Sequence, residues 1–469
     1  MGSTPRTAEP PIGTPVADAG PPLQQLLATI RSLPGLSDFA QGQQPSLPEL
    51  RAALKPGQAV IYLIAPPVVC CALVVTPNPH PAPVMAVGLP SINGGRLFTL
   101  TFGFGTREDG SIDGLTPGKP RLGEALLVGS ALSPPRYRRV LRKVLAEIGT
   151  TIAQPLAQAL TDVGITNAVF VPCGLLTIFD RHAATCREQS TTICLSDVLD
   201  PLSYAPSAGA WLAARMRAAR LAERPAFLVG LANPSHSQPP LPAAEAELRH
   251  IATRFPAEHS AVAYRGEATG RFLLGQLPHA THLHLGCHGT MRYDSVDGAS
   301  LALADAEQLD IARIRRLAGD GLRLVVLAAC VSGAVNVFLQ PEESHALTIG
   351  FMHAGAAGVL GTLWSIQDFP SALFITQFYE ELTAQPGVEP AVALARTQQW
   401  MRSLTVTERR QYVAQRPALA AFDGWKRLRG SSLRAAGRRR AGLPSLRSTL
   451  CRRPFTAPEF WAAFVLNGC

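Results

Sequence analysis

At 469 residues with 47% hydrophobic content, the chain is long enough for two or three domains with cores of their own, and a disordered chain is excluded. Nine cysteines are scattered without the paired spacing of a zinc site or the density of a disulfide framework, so a reducing, cytoplasmic setting is expected and no metal or other cofactor. The net charge of +9 comes from one place: residues 424–458 hold ten Lys and Arg and no acidic residue, and without them the balance is 9 − 10 = −1.

Residues 1–45 are rich in Pro, Gly, Ala and Gln and read as a disordered leader, with one short amphipathic helix over 22–32 and no apolar core of a signal peptide. Residues 59–75 carry no charge over 17 positions, but Pro66-Pro67 in the middle and β-branched residues on both sides predict two strands joined by a proline turn, not a membrane span. The spacing then predicts a loop over 77–90, a strand over 96–104, a long helix within 136–160 and a buried strand at Asn167–Pro172. A basic, Ala-rich stretch at 213–224 marks a boundary, dividing the chain into a leader 1–45, a first unit 46–215 and a second unit 216–469. No internal repeat of 20–50 residues occurs.

The second unit alternates strand and helix. Strands are predicted at 225–231 and Ser260–Tyr264, with helices at 245–255 and 270–277. Residues 281–289, Thr-His-Leu-His-Leu-Gly-Cys-His-Gly, give a strand ending in His288-Gly289. A helix over 310–318 leads to Leu-Arg-Leu-Val-Val-Leu-Ala-Ala at 322–329, a strand ending in Cys330-Val-Ser-Gly. A helix around 343–353, a strand over 357–363 ending in Trp364, helices over 371–382 and 390–404, and a strand over 460–466 complete the order. This alternation predicts an α/β fold, a sheet of mainly parallel strands flanked by helices, with ligands bound off the carboxyl ends of the strands.

His288 and Cys330 stand just past two such ends, 42 residues apart (330 − 288), on runs expected to pair. A thiol and an imidazole converging there point to a cysteine nucleophile activated by a histidine base. The residue pattern alone leaves each a blander reading, a buried structural thiol and a satisfied core histidine. His282 and His284 share one strand face and read as structural, as does Cys287. The three histidines lack a further ligand for a metal, and no P-loop, dinucleotide fingerprint or Gly-x-Ser-x-Gly elbow occurs.

The same residues resemble the CHAT domain, a caspase- and separase-like cysteine peptidase module. His-Leu-Gly-Cys before His288-Gly289 is similar to its histidine motif, and Leu-Val-Val-Leu-Ala-Ala-Cys330-Val-Ser-Gly to its nucleophile motif. Ala-Gly-Ala-Ala-Gly-Val-Leu-Gly-Thr-Leu-Trp364-Ser-Ile-Gln-Asp368 resembles the segment that follows, and 460–466, 169–178 and 202–208 extend the likeness over most of 55–469. The resemblance implies a cysteine endopeptidase acting through a Cys330–His288 dyad, with the backbone N–H groups of Gly289 and Cys330 as oxyanion donors. It implies that 46–215 is a degenerate caspase-like half supporting an active half at 216–469, which carries a basic insertion at 424–458. Asp368, with Trp364 in the same segment, is expected at the pocket for the substrate residue before the cut. A carboxylate there predicts cleavage after Arg, with Lys weaker, and makes the Arg run 438–440 a candidate self-cleavage site. The alternative for Asp368 is a cap on the helix opening near Pro370.

A protein substrate encoded nearby, an activator or sensor, and a bacterial defence or signalling role are further expectations of the resemblance. Two other classes remain open from the sequence. One is an inactive caspase-like scaffold that binds partners. The other is a nucleic-acid or anionic-surface binder acting through 424–458, whose Gly, Ser and Pro content equally fits a solvated insertion.

Overall fold

The computed structural model describes residues 45–469 except 67, 103, 107–111, 116–133, 180–181, 189–190, 236, 293–294, 296–297, 318, 335–345 and 422–451; for 102, 104–106, 112–115, 134–138, 186–188 and 191–192 it describes the backbone alone. The expected leader, its short helix, the Arg run at 438–440 and most of the basic insertion lie outside the described residues.

In the first half the strands are β1 (Gln58–Ile64), β2 (Cys70–Val75), β3 (Val84–Leu89), a hairpin of β4 (Phe104–Thr106) and β5 (Ile112–Leu115), β6 (Asn167–Pro172), a hairpin of β7 (Thr185–Glu188) and β8 (Thr191–Cys194), and β9 (Leu202–Tyr204). The second half adds β10 (Leu228–Ala232), β11 (Ser260–Tyr264), β12 (His282–Gly286), β13 (Gly289–Met291), β14 (Ala299–Ala302), β15 (Gln308–Asp310), β16 (Leu324–Leu327), β17 (Gly358–Thr362) and β18 (Phe464–Gly468). Among the described residues eleven strands form one sheet, in the order β11-β10-β12-β16-β17-β18-β9-β6-β1-β2-β3. β11, β10, β12, β16 and β17 run parallel, as the alternation of strand and helix predicts. β18 lies antiparallel to β17 and parallel to β9, joining the two halves.

The parallel strands form because they are apolar on both faces: β10, β12, β16 and β17 are buried at every position. Alternate side chains serve two cores. Val229, Leu283, Leu285, Val325 and Val359 pack with the Leu347–His353 helix on one face. Leu228, Leu324, Val326 and Leu360 pack on the other with the helices Pro242–Ala252, Asp368–Leu382 and Pro390–Ser403, in a core that continues under β1 and β6. The helix Ala208–Arg220 crosses the expected 215/216 boundary and buries Trp211 against Val60 and Val169 of the first half.

The uncharged stretch at 59–75 is the antiparallel pair β1–β2, in register Tyr62↔Leu73. No helix among the described residues is long and apolar enough to cross a membrane. Two expectations are corrected. Residues 77–90 contain an edge strand, β3, and the expected strand at 96–104 is instead the helix Gly94–Phe102. Asn93 caps that helix by accepting from Arg96 N at 2.8 Å, and it turns Leu97 and Leu100 inward.

His282 and His284 point into the core together. The His282 ring meets Phe255 edge-on at 5.4 Å, and His284 lies 3.1 Å from Glu247, both wholly buried. Burial drives each imidazole down to about 3 and holds the Glu247 carboxyl well above its ordinary range, with the Asp368 charge adding to the latter. Both rings therefore stay neutral when folded, whereas in the unfolded chain they take up protons near pH 6.5. Between pH 6.5 and about 3 the unfolded state binds more protons, so the histidine contribution is present above pH 6.5 and lost as pH falls. Glu247 acts oppositely: the folded acid keeps a proton that the unfolded carboxyl releases near pH 4.5, so its contribution is lost as pH rises from there. Urea unfolding at pH 7, 6 and 5 is expected to show stability falling toward pH 5, because each histidine contributes a slope of up to about 1.4 kcal/mol per pH unit and Glu247 offsets at most one of the two. His282→Phe should reduce that slope by at least half, since Glu247 offsets part of what the remaining histidine contributes; an unchanged slope would locate its source elsewhere.

Candidate active site

β12 and β16 pair in register Leu285↔Leu327, so His288 and Cys330 leave the same edge of the sheet from adjacent strands. Their backbones touch. A Cβ placed on Gly289 would lie 2.2 Å from the Cys330 carbonyl oxygen and 3.3 Å from its amide nitrogen. Only a residue without a side chain lets the two segments approach this closely. The space left by the missing side chain is taken by Cys330.

The Cys330 segment is pinned to β17. Thr362 Oγ1 donates to Ala329 O at 2.6 Å, Thr362 N donates to the buried Ser332 Oγ at 3.0 Å, and Gly333 N donates to Thr362 O at 2.8 Å. Val331, directly after Cys330, has φ +51°, an outlier conformation for a β-branched residue. Such strain persists only where surrounding bonds over-determine the backbone, and it gathers at functional sites.

His288 is half-exposed. Its Nε2 lies 2.7 Å from the Pro239 carbonyl oxygen, which assigns the proton to Nε2 and leaves Nδ1 as the basic atom. Pro239 belongs to the loop after β10, where the chain order of the sheet reverses between β11 and β12. That loop is held by Asn233, at φ +50°. Asn233 N donates to Gly286 O at 2.8 Å, Oδ1 accepts from Leu241 N at 2.6 Å, and Nδ2 donates to Glu245 at 3.1 Å. No sequence motif signals the Pro239 carbonyl, because a backbone oxygen leaves no trace in residue identity.

Cys330 Sγ donates to Ile366 O at 3.7 Å, and among the described residues no hydrogen bond joins it to the His288 ring. Burial pushes the Cys330 thiol above its ordinary value, hydrogen bonds from the Ser365–Ile366 side pull it back in part, and the Asp368 charge pushes it up again. The resting group is therefore a neutral thiol. Cys287 is buried, and burial takes its thiol up to about 12, in keeping with a structural role.

Asp368 is the first residue of its own helix, yet its carboxylate caps another. Oδ2 accepts from Ala243 N at 3.0 Å and Oδ1 from Ala244 N at 3.2 Å, at the opening of the Pro242–Ala252 helix. Its carboxyl is raised by burial, and the two N–H groups and the neighbouring His288 charge offset that in part. Trp364, expected to contact substrate, is instead 3% exposed, and its indole N–H donates to Glu459 O at 3.5 Å. Its own carbonyl accepts from Val331 N at 3.4 Å, so it braces the turn after Cys330.

The CHAT domain profile matches residues 142–469. The chain belongs to the CHAT domain family. A chain of the Saccharomyces cerevisiae separase–securin complex is similar to this CHAT protein over 80% of its length, with 10% identity and a TM-score of 0.50. Gingipain R, an Arg-specific cysteine proteinase, aligns over 58% with 10% identity and a TM-score of 0.34, and the complex of Porphyromonas gingivalis RgpB pro- and mature domains over 57% with 10% identity and a TM-score of 0.37. The CHAT protein covers 33% of that separase-complex chain, and 65% and 72% of the two gingipain chains. No curated protein sequence matches it. The likeness to the separase-complex chain is one of fold, a caspase-like sheet flanked by helices.

Proposed function

We propose that this CHAT protein is a cysteine endopeptidase that cuts a protein partner through Cys330 and His288. The observation that carries this reading is the pair of adjacent strand ends with Gly289 seated on Cys330 and the His288 Nε2 proton tied to Pro239, which leaves Nδ1 free to act as base. Because the thiol is neutral at rest, attack needs that base: Nδ1 takes the Sγ proton as sulfur bonds to the scissile carbonyl carbon. The Pro239 carbonyl orients the ring and stabilises the imidazolium that forms. The oxyanion would be met by the N–H groups of Gly289 and Cys330. Ala302 N donates to His288 O, which makes Gly289↔Leu301 a non-hydrogen-bonded pair and leaves Gly289 N–H out of the ladder. Collapse of the intermediate expels the amine, which leaves with the proton from Nδ1. Water then cleaves the thioester with His288 again as base.

In this reading residues 46–215 form the supporting half and 216–469 the active half, in a bacterial, cytoplasmic protein with a defence or signalling role. The thiol's bond to Ile366 O fits a resting site that a protein activator completes. A peptidyl chloromethyl ketone should modify Cys330 in the folded chain; no modification, with or without added partner, would leave an inactive scaffold.

Preference for Arg before the cut is proposed through Asp368, which lies within electrostatic reach of both Cys330 and His288. Asp368→Ala is expected to lose this preference across a peptide library and, by uncapping the Pro242–Ala252 helix, about 1 kcal/mol of stability. Retained Arg preference with lowered stability would reduce Asp368 to a cap.

A further inference from the structure

A cavity of about 620 Å³ opens at the edge of the sheet opposite Cys330, where β1, β6, β12 and β16 begin, and both halves of the chain contribute to its wall. That volume suits a bound small molecule. Two guanidinium groups line it without a carboxylate partner among the described residues. Arg215 stacks over the Trp211 ring at 5.1 Å and makes one long bond, 3.5 Å, to Gln58 Oε1. Arg323 spends its Nη2 on the backbone carbonyls of Leu221, Ala222 and Arg224, and its buried Nε–H has no acceptor. The acid at the rim, Glu389, is already paired with Lys55. Trp211, Phe255 and Leu382 add apolar surface to the same wall.

Two guanidinium groups on one cavity, neither with a carboxylate partner among the described residues, make it a favourable place for negative charge. A phosphate, sulfonate or carboxylate accepts from guanidinium N–H in good geometry, and the aromatic wall suits a planar body. We propose that this cavity binds an anionic small molecule with a flat apolar body, its charge held by Arg215 and Arg323. This site stands independently of the peptidase reading. β12 and β16 start at its floor and end at His288 and Cys330, so an occupant would brace the two strands that carry those residues.

The test uses the full chain and the aromatic sulfonate 8-anilinonaphthalene-1-sulfonate, with uncharged N-phenyl-1-naphthylamine as control. Fluorescence titration is expected to show one saturable sulfonate site that Arg215→Met weakens by about tenfold or more. The uncharged probe should bind weakly to both proteins. Arg215 holds little of the fold, so near-ultraviolet circular dichroism should be unchanged in the variant; Arg323→Lys, which keeps a donor to the carbonyls, should weaken the sulfonate less. Equal sulfonate affinity in Arg215→Met, or equal binding of the uncharged probe, would overturn the proposal.

Discussion

Cys330→Ala and His288→Ala are each expected to lower peptide cleavage by at least about 10³-fold, and the double variant scarcely further, because nucleophile and base act as a unit. Neither change should unfold the protein. Cys330 contributes a long 3.7 Å bond to Ile366 and an interaction with Ser365, and His288 is half-exposed with a bond to Pro239. Stability is expected to stay within about 1 kcal/mol of wild type, read from urea midpoints with unchanged slope. Full activity in either single variant would end the dyad assignment. If His288→Ala alone retained activity, a different base would have to reach the neutral thiol.

Gly289→Ala should be nearly as damaging, although it adds one methyl group. The new Cβ would meet the Cys330 carbonyl oxygen at 2.2 Å, against ordinary contacts beyond 3.4 Å. Neither backbone can yield freely: Ala302 N holds His288 O at 2.9 Å, while Thr362 and Trp364 hold the residues on either side of Cys330. The strand ends must therefore part by about an ångström, a displacement that costs on the order of 10²-fold in turnover. Stability should fall by about 1–3 kcal/mol from overpacking. Turnover at 25 °C and the thermal midpoint check both halves; an Ala variant with full activity and an unchanged midpoint would mean that the two segments are not in contact.

What could be read from the chain and what could not divides along physical lines. β10, β12, β16 and β17 stand out because burial on both faces strips polar residues from a strand, His282, His284 and Thr362 excepted. β3 did not, since it is an edge strand with one face in solvent, and its alternation hides among prolines. The Gly94–Phe102 helix was misread because Leu-Phe-Thr-Leu-Thr-Phe satisfies both periods; the Asn93 cap was the signal that could have decided it. At the candidate site, residue types point to His288 and Cys330, but their surroundings include the Pro239 carbonyl and a helix opening held by Asp368 from 125 residues away. Neither is a local property of sequence. The cap expected at Asp368 was the right chemistry on a different helix.

β18 follows every other strand of the sheet in sequence but sits in the middle of it, between β17 and β9. During synthesis His288 and Cys330, the proposed base and nucleophile, emerge well before the strand that closes the seam. Until residues 464–468 arrive, at about 5–20 residues per second, β17 and β9 each present an unpaired edge. Joining the halves is then a long-range step, slow by its topology. Biosynthesis itself thereby imposes a delay between the appearance of the reactive residues and the completion of the sheet that supports them.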